Sequence, residues 1–151
     1  MTAMLTSLIS AALALIALPT SAAIAEPNDK IEVTNLEAIL KDNPLQPSGP
    51  SASIVASIRA GDTELGILVM SKNRLHHHPH QDHVLYLVSG RGTAWLENVS
   101  GRIETRPIKP GDLFSLPRGK KHGFEKAGQE DLVFLVVATP PPETGEDTVY
   151  E

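Results

Sequence analysis

The chain has 151 residues, 41% of them hydrophobic, a formal net charge of −5 at pH 7 and no cysteine. That length predicts one domain, and the acidic balance excludes the basic patch that nucleic acid or an anionic membrane surface requires. Without cysteine no disulfide forms, and any metal site must be built from imidazole and carboxylate.

Residues 1–25 contain no Lys, Arg, Asp or Glu. Residues 8–18 are an apolar core, Pro19 breaks it, and Ala23 and Ala25 place small residues at the two positions that a signal peptidase reads. This predicts a secretory signal over residues 1–25 and a mature chain from Glu26, secreted or periplasmic and free of the membrane. The n-region lacks the usual Lys or Arg. A retained membrane anchor is the alternative, because an uncharged run of this length nearly spans a bilayer.

Residues 26–50 form an N-terminal segment. Residues 28–30 are polar, and residues 34–41 predict one short helix. Asn35 or Thr34 caps it, apolar residues recur at Leu36, Ile39 and Leu40, and Asn43-Pro44 ends it. Residues 47–50, Pro-Ser-Gly-Pro, read as a turn. From residue 51 the pattern is that of strands. A β-branched run containing Ile54 and Ile58 ends at the turn Ala60-Gly61-Asp62, and residues 65–70 follow as a second strand. After the histidine-rich segment come residues 84–88, 93–97, a hairpin turn at 98–101, and residues 102–108. Pro110-Gly111 suits the two central positions of a type II turn. Residues 113–116, 121–125 and 132–138 complete the set. Eight or nine short strands at regular spacing with one minor helix predict an all-β barrel or sandwich over residues 51–139. Pro140, Pro141 and Pro142 stop the last strand, and residues 140–151 read as a flexible acidic tail.

Five of the six histidines lie within one stretch: His76, His77, His78, His80 and His83; the sixth is His122. Residues two apart on a strand share a face, so His76 and His78 project together and His77 projects oppositely. Pro79 cannot continue a ladder, so the chain turns there, and His83 opens the next strand, which can run antiparallel to the first. His122 then closes the set from a more distant strand. Four imidazole nitrogens at ~2.0–2.2 Å from one ion leave open positions on an octahedral metal. A second register, His78, His80 and His83, leaves too few residues for the turn and puts Pro79 inside a strand. The alternative to a buried centre is a surface histidine tract that scavenges metal, a role for which His122 is not needed.

These residues resemble the cupin superfamily. Its first motif corresponds to His76-x-His78, four residues, His83 in place of Glu, six residues and Gly90. Its second corresponds to Gly111, five residues, Pro117-x-Gly119, two residues, His122, three residues and Lys126 in place of Asn. Met70 stands where a Gly usually precedes the first histidine. The resemblance implies a double-stranded β-helix barrel holding a divalent transition metal (Mn, Fe, Zn, Cu or Ni) on His76, His78, His83 and His122. With His83 for Glu the ion keeps its full charge, which favours anionic ligands and argues against oxalate oxidase or decarboxylase activity, whose bearers keep the Glu.

By alternation Leu85 and Leu87 share the inward face of His83, and Phe124 that of His122. Tyr86 is expected outward, at a homodimer contact of the kind small cupins form. Trp95 is expected to pack the barrel, and Arg74 either reaches an anion at the mouth or stays solvated. Asn98-Val99-Ser100 fits a glycosylation acceptor. No residue stands out as a general base, so the catalytic residues are unassigned. Two functions fit: a metal-dependent dioxygenase or related lyase or isomerase acting on a small oxygenated, anionic molecule, and a non-catalytic binder of metal or small ligands.

Overall fold

Asn35 adopts an extended backbone and its side-chain oxygen accepts the Ala38 N–H at 2.9 Å, which starts helix α1, Leu36–Asp42. The helix stops at Asn43, whose backbone N–H and side-chain amide both donate to the Ile39 carbonyl. Its apolar side, Leu36, Ile39 and Leu40, packs on Ile67, Val69 and Val133. The computed structural model describes residues 31, 33–61, 63–141 and 147–151. The expected signal and the polar residues 28–30 lie outside them. Among the described residues no helix is long and apolar enough to cross a membrane.

The rest is antiparallel β-structure: β1 Ala52–Ala60, β2 Thr63–Met70, β3 His76–His77, β4 Asp82–Ser89, β5 Gly92–Glu97, β6 Ile103–Ile108, β7 Leu113–Leu116, β8 His122–Lys126, β9 Leu132–Thr139 and β10 Val149–Tyr150. They form two five-stranded sheets, ordered β1-β2-β9-β4-β7 and β10-β3-β8-β5-β6. This is the all-β double-stranded β-helix barrel with one short helix that the sequence predicts. The turns follow their local chemistry. Gly111 has φ +95°, and Asp112 N–H reaches the Lys109 carbonyl at 3.1 Å, closing the turn expected at Pro110-Gly111. Gly90, the last residue of the first motif, has φ +83°, and a Cβ there would collide with the Asp131 carbonyl.

Strand alternation sorts the side chains as expected on β4. Leu85 and Leu87 are buried, while Val84 and Tyr86 are 52% and 41% exposed. Between the sheets, Phe114, Phe124 and Phe134 pack edge-on or tilted with ring centroids 5.1–6.1 Å apart. Trp95 does not join them. It follows the buried Ala94 and so faces the other side of β5, where the Lys72 ammonium lies 5.9 Å from its ring.

Two expectations need correction. The histidine strand and the strand opened by His83 do not pair with each other. β3 pairs with β8 and β10, whereas β4 pairs with β7 and β9, because the turn after His77 crosses from one sheet to the other. The acidic tail, expected to be flexible, is ordered over residues 147–151. Val149 and Tyr150 pair with His77 and His76, and Glu151 N–H donates to the Leu75 carbonyl. A two-residue strand carries too little periodicity to be read in sequence; it forms because β3 offers an open edge.

Candidate metal centre

His76 and His122 face each other in register across β3 and β8, with ring centroids 4.3 Å apart. His78 follows β3, its ring 5.0 Å from His76 and 5.3 Å from His122. One ring nitrogen from each of the three lies within 4.8 Å of the others. Nitrogens bound to one ion at ~2.0–2.1 Å sit no more than ~4 Å apart, so small side-chain rotations close the gap.

All three rings are oriented in the same way. His76 Nδ1 meets the Arg74 carbonyl at 2.7 Å, His78 Nδ1 the Asp147 carbonyl at 3.0 Å and His122 Nδ1 the Lys120 carbonyl at 2.9 Å. A carbonyl only accepts, so each Nδ1 carries the hydrogen and each Nε2 of the neutral ring keeps its lone pair. Backbone partners of this kind orient histidines for a metal. Burial lowers the pKa of His76 and of His78. It also lowers that of His122 to about 3, with His76 adding repulsion. The donors are therefore unprotonated at neutral pH, and an all-imidazole set fits a borderline divalent transition ion.

His83 lines the same cavity from the opposite sheet, its ring 4.1 Å from that of His78. It is not in the 4.8 Å set. Gln81, only 7% exposed, donates its amide to the Pro140 carbonyl at 3.0 Å, which turns its oxygen toward His83 Nε2 at 3.3 Å. His83 thus presents Nδ1, not Nε2, as its free lone pair. Burial, then repulsion from His78 and His76, lowers its pKa to about 4. Gln81 went unremarked in the sequence; its spacing of two from His83 is the signal that places both on one face.

The surrounding scaffold pins these strands. Gly119 N–H donates to the His78 carbonyl at 2.8 Å. Arg118 grips the Asp82 carboxylate with its backbone N–H and its guanidinium, at distances down to 2.6 Å. Glu97 accepts from Lys121 N–H and Lys120 Nζ just before His122. The cavity itself measures about 220 Å³, with Met70, Leu85, Phe124 and Val136 among its apolar lining. Among the described residues no carboxylate lines it.

The other histidines turn away. His77 Nδ1 lies 3.6 Å from Glu151, and the exposed His80 ring bonds Asp147 at 2.7 Å. Lys126 pairs with Asp131 at 2.6 Å, not with the cavity. Arg74 is exposed; it donates to the Glu151 main-chain oxygen at 2.8 Å and lies over Tyr150. Asn98 uses its side-chain oxygen to accept from Ser100 and Arg102 within its hairpin.

Comparison with known proteins agrees with this geometry. The cupin domain family matches residues 69–138. An acireductone dioxygenase of Bacillus mycoides is 34% identical over 87 residues, covering 58% of this chain and 51% of that protein. The chain thus spans about half the length of the curated relatives it matches. Among solved structures, a double-stranded β-helix domain protein from Klebsiella pneumoniae has a TM-score of 0.55 at 19% identity, over 74% of this chain and 91% of that one. A recombinant oxalate oxidase in complex with glycolate has a TM-score of 0.58 at 14% identity, over 72% of this chain and 60% of that one. These structural likenesses establish the fold. With barrel, motif spacing and family match all falling on the same residues, residues 69–138 of this chain are a cupin domain.

Proposed function

We propose that this chain is a metal-dependent oxygenase of the cupin type, acting on a small oxygenated, anionic substrate. In this reading His76, His78 and His122 hold one divalent transition metal ion through Nε2, and His83 supplies the fourth donor from the facing sheet. The observation that carries it is the shared orientation of the three rings, each with Nδ1 on a backbone carbonyl and Nε2 left free. When bound, an ion on neutral imidazoles keeps its full charge, favours anionic ligands and polarises a substrate oxygen. The protein's own part is to keep the donors unprotonated, to exclude water with Leu85, Phe124 and Val136, and to limit the ligand. A cavity of about 220 Å³ lies below the ~300–1,000 Å³ of sites that take drug-sized molecules. The acireductone dioxygenase relatives point to dioxygenation of an acireductone-type substrate.

A second reading, a binder of metal or small anions without turnover, is favoured by a cavity lining that holds no carboxylate among the described residues. Metal analysis of the full chain from its native compartment, followed by oxygen uptake with acireductones, β-diketones and catechols, separates the two. Uptake coupled to substrate loss is the expected result; ligand retention without product makes the protein a binder. His122→Ala is expected to weaken metal binding by more than the ~10–100-fold that outer-sphere changes produce. An unchanged metal content in His83→Ala would remove His83 from the donor set. Export belongs to the same proposal, and protein recovered outside the cytoplasm should begin at Glu26, whereas an intact Met1 there overturns it.

A further inference from the structure

The strand that carries His76 is two residues long and meets β8 through a single residue pair, His76 with His122. Its other edge is covered wholly by β10. The five residues 147–151 also make contacts beyond that pairing. The Asp147 carbonyl accepts from His78 Nδ1 at 3.0 Å, and the Asp147 carboxylate accepts from the backbone N–H and Nδ1 of His80, at 3.0 and 2.7 Å. Thr148 and Tyr150 line the histidine cavity, and the Tyr150 ring lies 5.8 Å from that of His76. Glu151 is held by the Lys121 ammonium at 2.8 Å, and its main-chain oxygen by Arg74. The carboxylates of Asp147 and Glu151 thus meet His80 and Lys121 of the barrel segment.

We propose that residues 147–151 are a working wall of the histidine centre. The Asp147 carbonyl decides which nitrogen of His78 faces the cavity, and Tyr150, with Thr148, decides how large a ligand the cavity admits. The physical reason is that an imidazole in water exchanges freely between its two neutral forms, whereas a single carbonyl acceptor holds one of them. His76 and His122 take their carbonyls from Arg74 and Lys120, inside the barrel segment; His78 alone of the three depends on the returning segment. The size-selecting half rests on the metal-centre reading; the orienting half does not.

The test uses the full chain, a chain shortened by residues 147–151, and Tyr150→Ala in the full chain. Nitrogen NMR of the metal-free protein at pH 7.5 reads the tautomer of each ring. In the full chain His76, His78 and His122 are expected with hydrogen on Nδ1. In the shortened chain His78 alone should relax to a mixture. An unchanged His78, or loss of the preference at all three rings together, overturns the positioning role. Co²⁺ titration of the full chain then tests the metal reading separately: no binding sinks that reading while the tautomer result still decides the segment's role. In Co²⁺-loaded protein, acetate should perturb the cobalt spectrum equally in wild type and Tyr150→Ala. Benzoate should bind the variant more tightly by about tenfold, the scale of discrimination that a single pocket contact provides. Equal benzoate affinity overturns the size-selecting role.

Discussion

Asp82 and His83 are adjacent and serve opposite sides of β4. His83 turns inward to the cavity, while Asp82 turns outward and takes the Arg118 guanidinium at 2.6 Å. The hydrogen bonds from Arg118 lower the Asp82 pKa from 3.8 to about 2. Because the folded value is depressed, the pair's contribution is complete above pH 3.8 and is lost as pH falls through about 2. Both side chains are about half exposed, so the effect is small. Asp82→Asn is expected to lower the urea midpoint slightly at pH 7, with the difference from wild type vanishing near pH 2; a difference that grows in acid contradicts the assignment. The candidate positions were legible because they rest on spacing: of the four histidines that the motifs name, the fold brings His76, His78 and His122 together and leaves His83 outside that set. The hold of Gln81 on His83 was not legible, since it depends on the Pro140 carbonyl from the far end of β9.

At the level of elements, β9 is the hinge of the packing. It lies between β2 and β4, and its Phe134 is fully buried against Phe114 and Phe124, beneath the histidines. Replacing it leaves a cavity that the rigid sheets cannot fill. Phe134→Ala should therefore cost about 3–5 kcal/mol in urea unfolding, and a loss below ~1 kcal/mol would mean that the sheets collapse around the gap. Most strands could be read from alternation and turn chemistry, both local properties. Trp95 could not, because alternation assigns alternate faces but not which face is inside. β10 could not either, because its partner edge exists only once β3 has crossed to the second sheet.

For the whole molecule, the cost of the centre is four imidazoles in one cavity, His76 and His122 buried and His78 and His83 half-buried. Their pKa values are depressed, His122 to about 3 and His83 to about 4, so the unfolded chain binds protons that the folded chain refuses. Stability from these groups is complete above their ordinary value of 6.5 and is lost as pH falls through about 4 and then about 3. Metal-free protein should show urea midpoints that fall steadily from pH 7 to pH 4, and His122→Gln should flatten that slope; a flat wild-type profile contradicts the burial described. A metal that binds only the folded state should stabilise by about 2.7 kcal/mol at a hundredfold excess over Kd. The matching observation is a thermal midpoint at pH 7 that rises with added ion and returns on chelation.

Composition, periodicity and motif spacing determined the class of fold, the place of most strands along the chain and four candidate histidines, of which three converge, because each depends on neighbours in the chain or on a pattern that repeats along it. The tertiary structure alone decided which sheet each histidine comes from, that Gln81 engages His83, and that residues 147–151 return to complete the cavity wall. Those are contacts between segments as many as 77 residues apart. Their existence depends on open strand edges and unpaired carbonyls that form only when the barrel closes.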